Sequence, residues 1–371
     1  MGMAQGSGSG YELPSTKASR PETGDSVKDI KLTGPFTNDD ETWRPRSRQV
    51  GYRGDRLLPG TEPSGDLVIP AAARDGPQRA TVGRVRVATW NVNSVKQRVP
   101  RLLPWLDRRQ PDVVCLQETK LTDDAFLKLL GGELADRGYA AGLHGQAQWN
   151  GVAILSRVGL DDVTTGIAGA PGFPAPEARA VAATCGGIRV RSVYVPNGRS
   201  PGSEHYRYKL SWLAALHDAV AADPEATIVC GDMNIAPADA DVFDPDAYVG
   251  QTHVTPPERA ALAELEALGL HDVVRDRWPT ERVFTYWDYR GGMFHRDLGM
   301  RIDLVLATGP VASRVRAAWV DRQARKGTAP SDHAPVIIDL DEAPDGDIGP
   351  VVPPPSAPAP PPGSVKLPQA P

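Results

Sequence analysis

Carboxylates, amides and one histidine stand at the ends of short apolar runs in this chain. Asn91 and Asn93 follow residues 85–90, Gln117 and Glu118 follow 113–116, and Asn197 follows Tyr194-Val195-Pro196. Asp232 and Asn234 come after Ile228-Val229-Cys230, and Asp332-His333 lead into 336–340. Taken singly, Asp-x-Asn after a strand is an ordinary turn that caps its own backbone. Glu118 alone could be an exposed charge, and His333 a hydrogen-bonded histidine. Five chemically compatible motifs at strand ends favour one shared site, because a sheet fixes its strand ends relative to one another. Oxygen donors with a single titratable nitrogen suit a hard cation, Mg²⁺ or Mn²⁺, and not zinc. The three cysteines, Cys115, Cys185 and Cys230, are odd in number and widely spaced, so neither disulfides nor a zinc site is expected.

The elements that must position these groups follow from hydrophobic spacing. Strands are predicted over 85–89, 113–116, 152–155, 188–195, 227–230, 301–307 and 336–340, several of them continuous apolar runs of the kind covered on both faces. Leu210, Leu213, Leu216 and Val220 recur at helical spacing. Thr255-Pro256-Pro257-Glu258 is a capping box with Pro at the first helical position, and Gly269 closes that helix. The pattern predicts an α/β (α+β) fold with two packed sheets covered by helices, in one domain spanning 84–341. Residues 1–83, rich in Gly, Pro and charge, and 342–371, rich in Pro, are expected to be a disordered extension and a solvated polyproline tail. The tail could serve an unidentified Pro-binding partner.

Net charge is −5 over 371 residues, which does not advertise a nucleic-acid partner, although a local basic rim can act against an acidic total. Such a rim is predicted from Lys96, Arg98, Arg101, Arg290, Arg296, Arg314, Arg316, Arg322, Arg325 and Lys326. No run of about 18 apolar residues and no signal-like start occur, so a cytoplasmic monomer without a membrane partner is expected.

Trp90-Asn91-Val92-Asn93, Leu116-Gln117-Glu118-Thr119-Lys120, Tyr194-Val195-Pro196-Asn197-Gly198, Gly231-Asp232-Met233-Asn234, Arg301-Ile302-Asp303-Leu304 and Ser331-Asp332-His333-Ala334-Pro335, in this order, resemble the exonuclease III and abasic-site endonuclease family of the endonuclease/exonuclease/phosphatase superfamily. Tyr286-Trp287-Asp288-Tyr289-Arg290 narrows the resemblance to its DNA-repair branch. The resemblance implies a four-layer α/β sandwich of two mixed sheets flanked by helices. It further implies Mg²⁺- or Mn²⁺-dependent hydrolysis of double-stranded DNA, 5′ to abasic sites and at 3′ ends.

By the same resemblance the metal residues are Glu118 as principal carboxylate with Asn91 beside it, Asp332 nearby as ligand or outer-shell partner, and Asp232, Asn234 and His333. Asp232, held by Asn234, would deprotonate water; Asp303 would pair with His333; Tyr194 and Asn197 would meet the phosphate. A His-Asp pair is compatible with a phosphate-bracing imidazolium and also with a general base. Tyr286, Trp287, Met300 and Ile302 would wall an abasic-sugar pocket, while Arg98, Arg290, Trp149 and Asn150 would touch DNA. The alternatives are the same fold acting on a phospholipid or inositol phosphate, or a catalytically idle DNA-binding protein.

Overall fold

The computed structural model describes residues 84–223, 227–342, 360–361 and 363–367, with the backbone of Val68–Ile69. All belong to one compact unit, Pro63–Pro371. The expected disorder over 1–83 therefore lies, Val68–Ile69 excepted, outside the described residues, as does most of the Pro-rich tail.

Thirteen strands are described: β1 (Val68–Ile69), β2 (Val85–Asn91), β3 (Val113–Gln117), β4 (Ala140–His144), β5 (Val152–Ser156), β6 (Asp161–Thr165), β7 (Ala180–Cys185), β8 (Ile188–Tyr194), β9 (Thr227–Asp232), β10 (Leu270–Asp272), β11 (Asp303–Thr308), β12 (Val315–Val320) and β13 (Val336–Leu340). One sheet runs β1-β4-β5-β3-β2-β13-β12 and the other β10-β11-β9-β8-β7-β6. Each is mixed, with a parallel pair at its centre, β2 with β3 and β8 with β9. Along β2, Val87 faces the core between the sheets, whereas Ala88 and Trp90 face an outer helix layer. Burial of both faces explains why such strands read as continuous apolar runs.

Helices α1 (Val95–Arg109) and α2 (Asp123–Asp136) cover the first sheet through Leu102, Trp105, Phe126 and Leu130; α3 (Glu204–Ala221) and α4 (Pro256–Ala267) cover the second through Trp212, Leu213, Leu216, Leu262 and Leu265. The expected four-layer sandwich results. The capping box forms as predicted, Thr255 Oγ1 accepting from Glu258 N and Glu258 Oε2 from Thr255 N. Helix α1 was hidden in the sequence by Pro100 and Pro104, which lie inside it. Both are exposed, so the hydrogen bonds they forgo belong to the solvated face. No helix among the described residues is long and apolar enough to cross a membrane.

The tail departs from a purely solvated segment in one stretch. Gly363 N donates to Asp244 Oδ2 at 2.9 Å, and Val365 and Leu367 pack against the inter-sheet core.

Strand register brings the polar motifs together. Asp232 at the end of β9 is the direct partner of Tyr194 on one side and Asp303 on the other. In the facing sheet Asn91 pairs with Gln117, and Val336 opposite Thr89 sets residues 331–333 beside the end of β2. Gly231 makes the β8–β9 approach possible: its φ is +146°, and a Cβ there would lie 1.9 Å from Val193 O.

Candidate active site

At the end of β2, Asn91 bridges two carboxylates. Its amide nitrogen donates to Glu118 Oε1 and to Asp232 Oδ2, both at 2.9 Å, while its Oδ1 accepts from Asn93 N. Asn93 in turn donates to Asp332 Oδ1 at 3.0 Å and accepts from Lys120 Nζ at 2.7 Å. Lys120 also pairs with Glu118 Oε2 at 2.8 Å. Burial alone would raise the Glu118 pKa, but Lys120 and the Asn91 amide outweigh it and hold it below the usual carboxylate value. Glu118 and Asn234 adopt left-handed backbone, φ +54° and +51°; such conformations in residues other than glycine cluster at functional sites.

The second half of the site is a carboxylate–imidazole–carboxylate line. His333 Nδ1 lies 2.8 Å from Asp303 Oδ2, and Nε2 lies 3.8 Å from Asp232 Oδ2. His333 is 4 % exposed. Burial opposes its charge, yet Asp303 and then Asp232 raise its pKa to about 10. Imidazolium is therefore the form at neutral pH. Asp232 is pushed up to about 7, by burial first and then by Asp303 and Glu118, against the pull of His333. Its Oδ1 accepts from Asn234 N at 2.9 Å. Ser331 fixes the turn, donating to Asn91 O and accepting from His333 N. Burial, with Glu118 next, raises the Tyr194 pKa well above its ordinary value, so the hydroxyl facing Glu118 keeps its proton.

Asp232, Asp303 and His333 place one ligand atom each within 4.8 Å of one another and could hold a metal ion. Without a cation, His333 as imidazolium answers both carboxylates, and a metal bound there would have to displace that proton. Glu118 fits a hard cation better: it offers carboxylate oxygens and already faces the ammonium of Lys120. Asp303 Oδ1 is buried without a hydrogen-bond partner, a further acceptor on this line. Asn91 donates its amide nitrogen to Glu118 and Asp232, and Asn234 bonds Asp232, Val195 O and Asn197, so both stand among the carboxylates as expected of residues at the metal site.

Asn197, expected at the phosphate, donates to Asn234 Oδ1 at 3.3 Å and contacts His253 Nε2 at 3.1 Å. Of the four expected pocket residues only Tyr286 is half-buried, its ring centroid 4.9 Å from that of His333. Trp287, Met300 and Ile302 belong to the core, and Trp287 Nε1 donates to Asp297. All three pack beside Tyr286 in the inter-sheet core. Trp149 is 68 % exposed and free to meet a ligand, whereas Asn150 is buried and bonded to Gln146. Arg98 is buried and donates to Tyr289 Oη; Arg290 pairs with Asp288. Arg314 and Arg316 correct the expected rim. They bond Asp341, at the opposite end of β13 from His333.

One buried pair escaped sequence reading. Lys209 and Glu258 side chains are 0 % exposed and bonded to each other. Lys209 also donates to Asn234 O at 2.7 Å and Asn197 O at 3.3 Å, and Glu258 accepts from Thr252 Oγ1 and His253 N. The pair thus ties together the loops that carry Asn197, Asn234 and His253. Burial and then Lys209 lower His253 to about 3, leaving its ring neutral beside Asn234. A lysine in register with Leu213, Leu216 and Val220 on the buried stripe of α3 was the available signal.

Two facing sheets, a polar strand-end cleft and a His-Asp couple define a phosphoesterase-like α/β sandwich. Residues 88–333 match the endonuclease/exonuclease/phosphatase family, and the chain belongs to that family. It is 30% identical over 271 residues to exodeoxyribonuclease III of Haemophilus influenzae, a match covering 68% of this chain and 98% of that protein. The solved 3′-5′ exonuclease of Neisseria meningitidis is 39% identical with a TM-score of 0.67, and the match spans 70% of this chain and 100% of that one. An AP endonuclease from Archaeoglobus fulgidus gives 36% identity and a TM-score of 0.66, again over 70% and 100% of the two chains.

Proposed function

We propose that this chain is a divalent-cation-dependent DNA-repair phosphodiesterase that cuts duplex DNA 5′ to abasic sites and trims 3′ ends. The observation that carries this reading is the line Asp303–His333–Asp232, with Asn91 joining Asp232 to Glu118. Similarity to both a 3′-5′ exonuclease and an AP endonuclease supports DNA as substrate, at chain ends and within the strand.

In this reading Asp232 accepts a proton from the attacking water, whose oxygen bonds to phosphorus as the bond to the 3′ oxygen breaks, and the departing 3′ oxygen takes a proton from solvent to become the 3′ hydroxyl. The Asn234 N–H holds Asp232 in place and favours its ionised form. His333, kept protonated by Asp303, donates from Nε2 towards the phosphate and balances its negative charge. Tyr194 donates its hydroxyl proton and Asn197 its amide to other phosphate oxygens. Glu118, with Asp332 as outer support, would hold Mg²⁺ or Mn²⁺, which supplies charge neutralisation at the phosphate. Lys120 would then release Glu118.

The test is cleavage of three duplexes with Mg²⁺ present: one abasic, one intact and blunt, one with a recessed 3′ end. Wild type should cut, and Asp232→Ala should lose at least a hundredfold in rate. Equal cutting by both proteins would remove Asp232 from its role. Failure of wild type on every duplex would reject the substrate.

A further inference from the structure

The side chains of Asn197, Asn234 and His253 meet at one point beside Asp232. Asn234 donates its amide nitrogen to Val195 O at 2.9 Å, so its Oδ1 is the atom that faces the other two. Asn197 Nδ2 lies 3.3 Å from that oxygen, and His253 Nε2 lies 3.1 Å from it. The Asn197 amide is also fixed in sense, because its Oδ1 accepts from Arg199 N at 3.1 Å. Its nitrogen can therefore only donate. The Asn197 and His253 nitrogens stand 3.1 Å apart.

His253 is the member whose role is open. A neutral imidazole carries N–H on one nitrogen and a lone pair on the other, and burial with Lys209 keeps this ring neutral. A bare Nε2 would set its lone pair against the Asn234 oxygen at 3.1 Å, whereas Nε2–H answers that oxygen's second lone pair. Two donors then share one acceptor, and Asn197 holds the longer bond. The main chain around them is pinned. Lys209 Nζ donates to the carbonyls of both Asn234 and Asn197, His253 N donates to Glu258 Oε1, and Ala236 N donates to His253 O. His253 is held in this way with φ at +81°, a left-handed conformation that histidine and asparagine enter more readily than most residues.

We propose that His253 is a positioning residue for the hydrolysis: its Nε2–H holds Asn234 Oδ1 in place when the Asn197 amide leaves that oxygen for the phosphate. The inference rests on the reading in which Asn197 donates to a phosphate oxygen. Asn234 matters because its main-chain N–H binds Asp232 Oδ1 at 2.9 Å. Asn234 is 4 % exposed, and a buried amide oxygen left unanswered is costly and favours a side chain turned towards water. With the ring in place, Asn197 turns to the phosphate while Asp232 keeps its orientation. His253 itself touches neither phosphate nor metal, and acts through Asn234 alone.

The test compares wild type, His253→Asn, His253→Gln, Asn234→Ala and the double variant Asn234→Ala/His253→Asn. Asparagine suits the left-handed backbone but is too short to reach Asn234, whereas glutamine can place an amide N–H where Nε2 stands. Cleavage of an abasic duplex, Tm and the ring ¹⁵N signals of His253 are measured. His253→Asn should lower kcat about tenfold, the worth of one hydrogen bond, with KM and Tm near those of wild type. His253→Gln should recover kcat to within about threefold. In the Asn234→Ala background, followed by single turnover, His253→Asn should cost less than about twofold, because its effect passes through Asn234. The ¹⁵N spectrum of wild type should place the proton on Nε2. An active wild type whose kcat is unaltered by His253→Asn overturns the inference alone. So does an equal loss in both backgrounds, a lowered Tm with kcat and KM both changed, or a proton on Nδ1, towards the Thr252 carbonyl. A wild type inactive on every duplex overturns the underlying reading as well.

Discussion

The division of labour between His333 and Asp232 is testable through Asp303→Asn. The Nδ1–Oδ2 distance of 2.8 Å sets the two charge centres about 4 Å apart, where an effective dielectric constant near 20 gives roughly 4 kcal/mol of attraction. At about 1.36 kcal/mol per pKa unit this is about 3 units. Removing the Asp303 charge while keeping its shape should lower His333 from about 10 to about 7. Asp232, 3.8 Å from Nε2, still favours the charged ring. At pH 8 wild-type His333 stays protonated, whereas only about a tenth of the variant does.

If the imidazolium supports the phosphate, the ratio of variant to wild-type kcat should fall about tenfold between pH 6 and pH 8. The alkaline limb of the variant's profile should move down towards neutrality. Cleavage rates and the ring ¹⁵N signals of His333 measure the two quantities separately. Were His333 the base, its neutral form would be the active one, and the same substitution would raise that ratio with pH. A rising ratio, or a flat one with the NMR pKa shifted as expected, would refute the assignment.

Lys209→Met leaves Glu258 charged in a fully buried position and should destabilise the fold by about 3–5 kcal/mol, read as a lowered denaturant midpoint; Lys209→Arg should recover much of this. A result within experimental error of wild type for Lys209→Met would mean the pair does not hold its loops. Gly231→Ala forces a Cβ against Val193 O in the centre of the second sheet. Little soluble protein, or a strongly lowered Tm, is expected, and a normal Tm would contradict that packing. Without divalent cation, stability should also fall as pH rises. His333 has a folded pKa raised from 6.5 to about 10, so its contribution is complete below the unfolded value and disappears as pH passes the folded one. Asp232, raised from 3.8 to about 7, acts in the same direction over its own lower window. Denaturation midpoints that stay flat from pH 6 to pH 10 would exclude this linkage.

What was legible in the sequence was whatever a strand's end must display. Glu118, Asp232 and His333 could be read because each follows or precedes an apolar run that places it at a strand end, and register alone then makes Asp232 the partner of Asp303. What was not legible depends on the second partner of each group. Nothing near Asn91 in the chain announces that its amide nitrogen will face two carboxylates from different strands. Trp287, Met300 and Ile302 look the same in sequence whether they wall a pocket or fill the space between sheets, because both uses need a large apolar side chain beside Asp303. Arg314 and Arg316 failed for a related reason: proximity to Ser331 in sequence conceals that β12 and β13 carry them to the other end of the sheet. Arg325 lies only six residues from Ser331 and, after the turn through 326–330, returns to it in space. Sequence distance is therefore no guide to which cation lies beside the catalytic turn; the direction of the intervening strand decides it. By that criterion the cationic residues of 322–326 lie beside the catalytic turn, whereas those of 314–316 lie at the far end of β13.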